Sequence, residues 1–181
     1  MSDTDAGKIL IAIARAAISR ELGVASSPPE DAAWLREPGA CFVTLSQGEK
    51  LRGCIGTLNA HRALLDDLKS NARAAAFKDP RFQPLARDEL ERTKVEVSLL
   101  SALEPMAFED EAEALAQLRP GVDGLVFEYG YHQSTFLPQV WDDLAEPSEF
   151  VATLKQKAGL PPDFWERGVK LARYTVSKWS E

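Results

Sequence analysis

Residues Leu51-Arg52-Gly53-Cys54-Ile55-Gly56-Thr57-Leu58 combine a guanidinium, a thiol and two glycines inside an apolar, strand-like run. That mixture differs from ordinary core. Glycine removes the side chain that would hold a ligand or a second backbone at a distance, so Gly53 and Gly56 mark places of close approach. Arg52 and Cys54 alternate along the chain and would leave the same face of a regular strand. There the guanidinium would favour the thiolate or hold an anion. A competing reading spends the same residues on packing: a bulge or tight contact at the glycines, a buried Cys54, and Arg52 as an ion-pair partner.

Other positions carry chemistry less compactly. His132, two residues after Gly130, is the group readiest to exchange a proton near neutral pH. It would make a nucleophile-base pair with Cys54 if the fold joins them, and is otherwise an ordinary hydrogen-bonded histidine. Asp79 and Arg81 flank the rigid Pro80, an acid-base pair suited to capping a helix end or clamping a loop. Glu96 and Ser98 share one face of an alternating strand, lining a cleft or facing water. Cys41 and Cys54, in a chain with 2 histidines, do not compose a zinc site. Trp34, Trp141, Phe164 and Trp165 lack interleaved basic residues and read as packing rather than a stacking platform.

At 181 residues, with 45% hydrophobic and 27% charged residues, the chain is sized for one well-buried domain. A formal net charge of −7 argues against general nucleic-acid binding, which rests on clustered Lys and Arg. The apolar run from Ile9 to Ile18 follows acidic residues and is interrupted by Arg15, so it reads as neither a secretory signal nor a membrane span. Two cysteines without a paired pattern fit a reducing, cytoplasmic location.

The elements that must position these residues follow from periodicity. Helical spacing of Ile9, Leu10, Ile13, Ala14, Ala17, Ile18 and Leu22 predicts a first helix stopped at Gly23. A short helix carries Trp34 and Leu35. Strands over 40–45 and 51–58 join through the turn at 47–50, which makes the thiol stretch the return arm of a hairpin. A helix over 64–76 follows directly and is broken at Asp79-Pro80. Next come a short helix or loop over 86–92, a strand over 94–101 and an acidic helix over 110–118. A hairpin of 125–129 with 132–136, helical starts at Pro138, Pro147 and Pro161, and a last strand over 169–178 complete the chain. Hairpins separated by helices, without βαβ alternation or a phosphate-binding glycine fingerprint, predict an α+β fold.

Five ordered blocks then carry a resemblance: Leu51 to Gly56, Ala75-Ala76-Phe77-Lys78-Asp79-Pro80-Arg81-Phe82, Glu96-Val97-Ser98, Thr135-Phe136-Leu137-Pro138-Gln139-Val140-Trp141, and Lys157-Ala158-Gly159-Leu160. Together they resemble the AMMECR domain family, known in microbes as AmmeMemoRadiSam system protein A, from about residue 8 to residue 179. The resemblance implies a mostly antiparallel sheet flanked by helices in one domain of residues 1–181, with a larger and a smaller subdomain enclosing a cleft onto which the Arg52–Gly56 block opens. The Gln133-Ser134 pair departs from the Arg and small residue looked for before Thr135, which removes a cation from that block. The candidate site residues are Cys54 and His132 for catalysis, and Arg52, Gly53, Ile55, Gly56, Thr57, Asp79, Arg81, Glu96, Thr135 and Gln139 for binding a ligand or partner. The implied partners are a Memo-type protein and a radical SAM protein. The iron-sulfur cluster and methionine-derived cofactor would belong to the latter, since this chain lacks the cysteine triad, and no cofactor is expected here. The expected role is that of an adaptor presenting a ligand or docking a partner; the alternative is an enzyme using Cys54 as nucleophile.

Overall fold

A computed structural model describes residues 3–181. The chain divides into two compact units, one of residues 1–100 with 177–181 and one of residues 101–176.

In the first unit the helical periodicity produces α1 (Asp3–Glu21), which buries Leu10, Ile13, Ala14, Ala17 and Ile18. Gly23, at φ +73, takes the left-handed conformation that ends it. A 3-10 turn, Ala33–Arg36, buries Leu35. The hairpin is β1 (Ala40–Gln47) and β2 (Lys50–Gly56), paired antiparallel from Gln47↔Lys50 to Phe42↔Gly56. Gly48 at φ +61 supplies the first central residue of its two-residue turn. After α2 (Leu64–Phe77) and a 3-10 segment (Arg87–Arg92), β3 (Lys94–Leu100) pairs antiparallel with the other side of β1.

Alternation along β1 sends Cys41, Val43 and Leu45 to one face, joined there by Val95 and Val97 of β3. Leu64, Leu68, Ala72, Ala75 and Ala76 of α2 and the buried stripe of α1 pack on that face. Each fully buried Val or Leu in such a layer contributes about 1.5–3 kcal/mol. A buried polar hub locks the layer. Asp67, wholly buried on α2, accepts from the Cys41 N–H (3.0 Å), the Thr57 hydroxyl (2.8 Å), Arg62 Nε (2.9 Å) and Asn71 Nδ2 (3.0 Å). A buried carboxylate needs such a set of donors to offset its desolvation.

The second unit contains β4 (Glu104–Pro105), α3 (Glu111–Gln117), β5 (Gly124–Tyr129), β6 (His132–Phe136), a 3-10 turn (Pro138–Asp142), α4 (Pro147–Lys157) and β7 (Lys170–Tyr174). Its sheet has the order β4-β7-β5-β6, and every pairing in it is antiparallel. Leu125, Phe127 and Leu171 pack against Phe150, Val151 and Leu154 of α4, and the Trp141 ring stacks on Phe150 with centroids 3.8 Å apart.

Two expectations need correction. The single last strand over 169–178 is two: β7 ends at Tyr174, and β8 (Val176–Ser180) joins the first sheet in the order β2-β1-β3-β8. At the break, the Thr175 carbonyl and N–H are held by the backbone N–H and hydroxyl of Ser101, so residue 175 leaves one ladder before the other begins. The helical turn expected at Pro161 is a single turn closed by Phe164 N–H to the Pro161 carbonyl (3.1 Å). The α+β class stands.

Candidate functional site

Along β2, antiparallel pairing puts Cys54 opposite Thr44, and Thr44 opposite Glu96 on β3. Directly opposed residues share a face, so Cys54, Thr44 and Glu96 form one row on the side of the sheet away from the helices. The neighbouring row is Gly56, Phe42 and Ser98. The Thr44 hydroxyl lies 3.3 Å from the Cys54 sulfur and can donate to it. Glu96 pairs with Lys178 at 3.4 Å. Cys54 is half-buried, whereas Cys41, on the opposite face, is fully buried. Burial and then the adjacent Asp67 carboxylate push the Cys41 thiol far above its ordinary range, so it stays protonated.

Both glycines of the motif are explained by packing. A Cβ on Gly53 would stand 2.1 Å from the Ala75 carbonyl oxygen, so this position admits the backbone of α2 against the strand. A Cβ on Gly56 would stand 2.1 Å from the Phe42 ring, which lies across it from the paired strand. Close approach is real at both positions, and the approaching groups are the protein's own.

The regular alternation expected through Arg52 is broken. Register shifts between Leu45↔Gly53 and Ser46↔Leu51, which leaves Arg52 as the extra residue of a bulge. Its guanidinium pairs with Glu89, Nε to Oε1 at 3.1 Å and Nη2 to Oε2 at 2.9 Å, leaves Nη1 buried without a hydrogen-bond partner, and lies 5.9 Å from the Phe82 ring centroid. The Arg52 hydrogen bonds, with help from the Ala86 N–H, hold the Glu89 carboxyl down to about 2. Gln47 completes the cluster by donating to both Glu89 and Thr93.

Asp79 and Arg81 act on Cys54 itself. β2 is an edge strand, so alternate backbone groups point away from β1 with no strand to meet them. The outward N–H of Cys54 donates to Asp79 Oδ2 at 2.9 Å, and its carbonyl accepts from Arg81 Nη2 at 3.2 Å. Arg81 also grips the same carboxylate through Nε (2.9 Å) and Nη2 (2.7 Å). The Arg81 hydrogen bonds foremost, then the Cys54 N–H, hold the Asp79 carboxyl well below the usual carboxylate range.

The remaining predicted residues divide between structure and the second unit. Ile55 packs against the first core, and Thr57 belongs to the Asp67 hub. His132, Thr135 and Gln139 lie in the second unit. There His132 Nδ1 is 2.7 Å from the Ala158 carbonyl at the end of α4. Thr135 meets the Tyr174 hydroxyl at 3.0 Å, and Gln139 is exposed on its 3-10 turn. A hollow of about 200 Å³ in that unit is lined by Leu103, Pro105, Val126 and their neighbours, and none of the three borders it. Thr44, Phe82 and Glu89 were missed as site residues, because each reaches the motif from a different element; Phe82 is marked only as the end of the Ala75–Phe82 block, and Thr44 and Glu89 carry no local signal. Among the described residues no group of three or more His, Cys, Asp or Glu is placed to hold a metal ion, and no helix is long and apolar enough to cross a membrane.

Residues 11–179 match the family profile described as AMMECR1. A protein of Methanothermobacter thermautotrophicus is 37% identical over 98% of this chain and 95% of its own length. One of Methanocaldococcus jannaschii is 37% identical over 97% of this chain and 90% of its own. The crystal structure of an uncharacterised protein from Pyrococcus horikoshii superposes with a TM-score of 0.82 at 34% identity, covering 98% of this chain and 92% of that one.

Proposed function

The chain belongs to the AMMECR1 family, and from that premise we propose that the surface around Arg52–Gly56 is a binding surface, with the protein acting as an adaptor rather than as an enzyme. The observation that carries this is the company of the thiol. Among the described residues, the side-chain group hydrogen-bonded to the Cys54 sulfur is the Thr44 hydroxyl, and a hydroxyl is no base. Nucleophilic catalysis by a thiol needs an adjacent base to take its proton or a cation free to stabilise the thiolate. The two nearby guanidiniums are already paired with carboxylates, Arg52 with Glu89 and Arg81 with Asp79. What remains for a partner is shape, a half-buried sulfur, and the exposed Leu51 beside the bulge.

The partners proposed are the Memo-type and radical SAM proteins to which the family resemblance points. Calorimetric titration of the full chain with each purified partner tests this. Association is expected with at least one of them, weakened by Leu51→Asp and retained by Cys54→Ser; absence of binding to both rejects the adaptor. The second reading, a Cys54-dependent enzyme, draws on the contrast between half-buried Cys54 and fully buried Cys41. It requires that Cys54→Ser abolish turnover in the reconstituted system.

A further inference from the structure

We infer that Asp79 and Arg81 are positioning residues for Cys54, and that the Asp79–Phe82 turn serves as a surrogate strand along the outer edge of β2. An edge strand with unmet backbone groups frays or pairs with whatever extended chain it meets. At Cys54 both outward groups are met by side chains of opposite charge, the N–H by the Asp79 carboxylate and the carbonyl by the Arg81 guanidinium, as a neighbouring strand's carbonyl and N–H would meet them.

The turn is built to hold that pose. Pro80 fixes its own φ. The Asp79 side chain also accepts from the Arg81 N–H at 3.1 Å, and the Phe82 N–H closes onto the Asp79 carbonyl at 3.1 Å. On one side the turn is anchored to α2 by Lys78 N–H to Ala74 O (2.8 Å), and on the other by Leu85 N–H to Ala76 O (2.8 Å). The same turn reaches Arg52, because the Phe82 ring lies 5.9 Å from the Arg52 guanidinium and 5.5 Å from that of Arg81. It therefore holds both charged and thiol positions of the motif from outside the sheet, while α2 holds Gly53 from within.

A consequence for Cys54 follows from the ladder. With its N–H turned outward to Asp79, Cys54 sits in a non-hydrogen-bonded pair with Thr44, the arrangement that brings opposed side chains closest. The 3.3 Å approach of the Thr44 hydroxyl to the sulfur depends on that pairing. The inference builds on the proposed binding role only in giving that surface its importance; its test reads the strand and not binding.

The test is amide hydrogen exchange at Cys54, with Val43 and Leu45 of β1 as internal reference, together with the iodoacetamide alkylation rate of Cys54, in wild type, Asp79→Ala, Arg81→Gln and Arg81→Lys. Removing a charge-assisted hydrogen bond at this edge is expected to speed Cys54 exchange at least about tenfold relative to Val43 and Leu45. Alkylation should rise in the same variants, and Arg81→Lys, which keeps one donor and the charge, should recover part of both. Arg81 is half exposed, so its variants remain decisive if Asp79→Ala does not fold. Cys54 exchange within twofold of wild type in Asp79→Ala, Cys54 alkylation unchanged in Arg81→Gln, or exchange rising only in step with Val43 and Leu45, overturns the inference whether or not any partner binds.

Discussion

The chemistry of the motif rests on single residues whose roles differ more than their types indicate. Cys41 and Cys54 are the same side chain on opposite faces of one hairpin, and only the second is within reach of solvent. Iodoacetamide is therefore expected to modify Cys54 in the folded protein and Cys41 only after unfolding; peptide mapping by mass spectrometry reads this directly, and native labelling of Cys41 would contradict the packing. Gly53 makes a sharper case. Gly53→Ala sets a methyl 2.1 Å from a backbone carbonyl that cannot rotate away, so α2 must move. We expect a loss of about 3 kcal/mol or more in urea unfolding, at or above the upper end of ordinary overpacking. Gly56→Ala meets an aromatic ring and is expected to cost less, because the Phe42 side chain can shift. The sequence made both glycines legible as sites of close approach, and the ambiguity between ligand and self could not be removed there. Ala75 and Phe42 lie 22 and 14 residues from the glycines they meet (75 − 53; 56 − 42), and nothing local announces the contact.

At the scale of elements, the hairpin, α2 and the segments after it form one charged clasp. Arg52–Glu89 ties β2 to the 3-10 segment, and the Arg81–Asp79 pair, through its hydrogen bonds to the Cys54 carbonyl and N–H, ties β2 to the turn after α2. Both carboxyls have folded-state values below their ordinary 4.5 and 3.8. A carboxyl of this kind adds stability that is fully present above the unfolded value, where both states are ionised. That stability is lost as pH falls toward the folded value, because the unfolded chain takes up the proton first. The denaturation midpoint should thus be flat, as far as these groups set it, from pH 7 to about 5. It should fall below that, with the Glu89 part continuing to about pH 2. Glu89→Gln should lower the midpoint at pH 7 and flatten the acid limb; an unchanged acid limb would show that the clasp contributes nothing. The acid-base pair flanking Pro80 was readable as a helix cap or a loop clamp because its residues stand two apart in sequence. Its target, the edge of β2, was not, since a strand's place at the edge is set by pairing order and not by its own residues. The bulge at Arg52 was hidden for the same reason, as register belongs to two strands at once.

At the scale of the molecule, the chain leaves the first unit after β3 and returns as β8 in the same sheet, so the second unit is inserted between two strands that are neighbours in space. Periodicity located nearly every element on this route, because burial of one face imposes it on helix and strand alike. It ran β7 and β8 together, because alternation continues past Thr175 while the sheet it serves changes. Family and fold were carried by five ordered blocks, whereas the division of labour inside the motif appeared only with the contacts. The net charge of −7 argues against nucleic acid as what the proposed Arg52–Gly56 surface binds. The most direct measurement is a hydrogen-exchange footprint of the full chain with and without the Memo-type and radical SAM proteins. Association with at least one is expected, with slowed exchange over residues 51–57 and slower alkylation of Cys54. Absence of association with both, or protection that leaves residues 51–57 unchanged, would contradict a binding role for this surface.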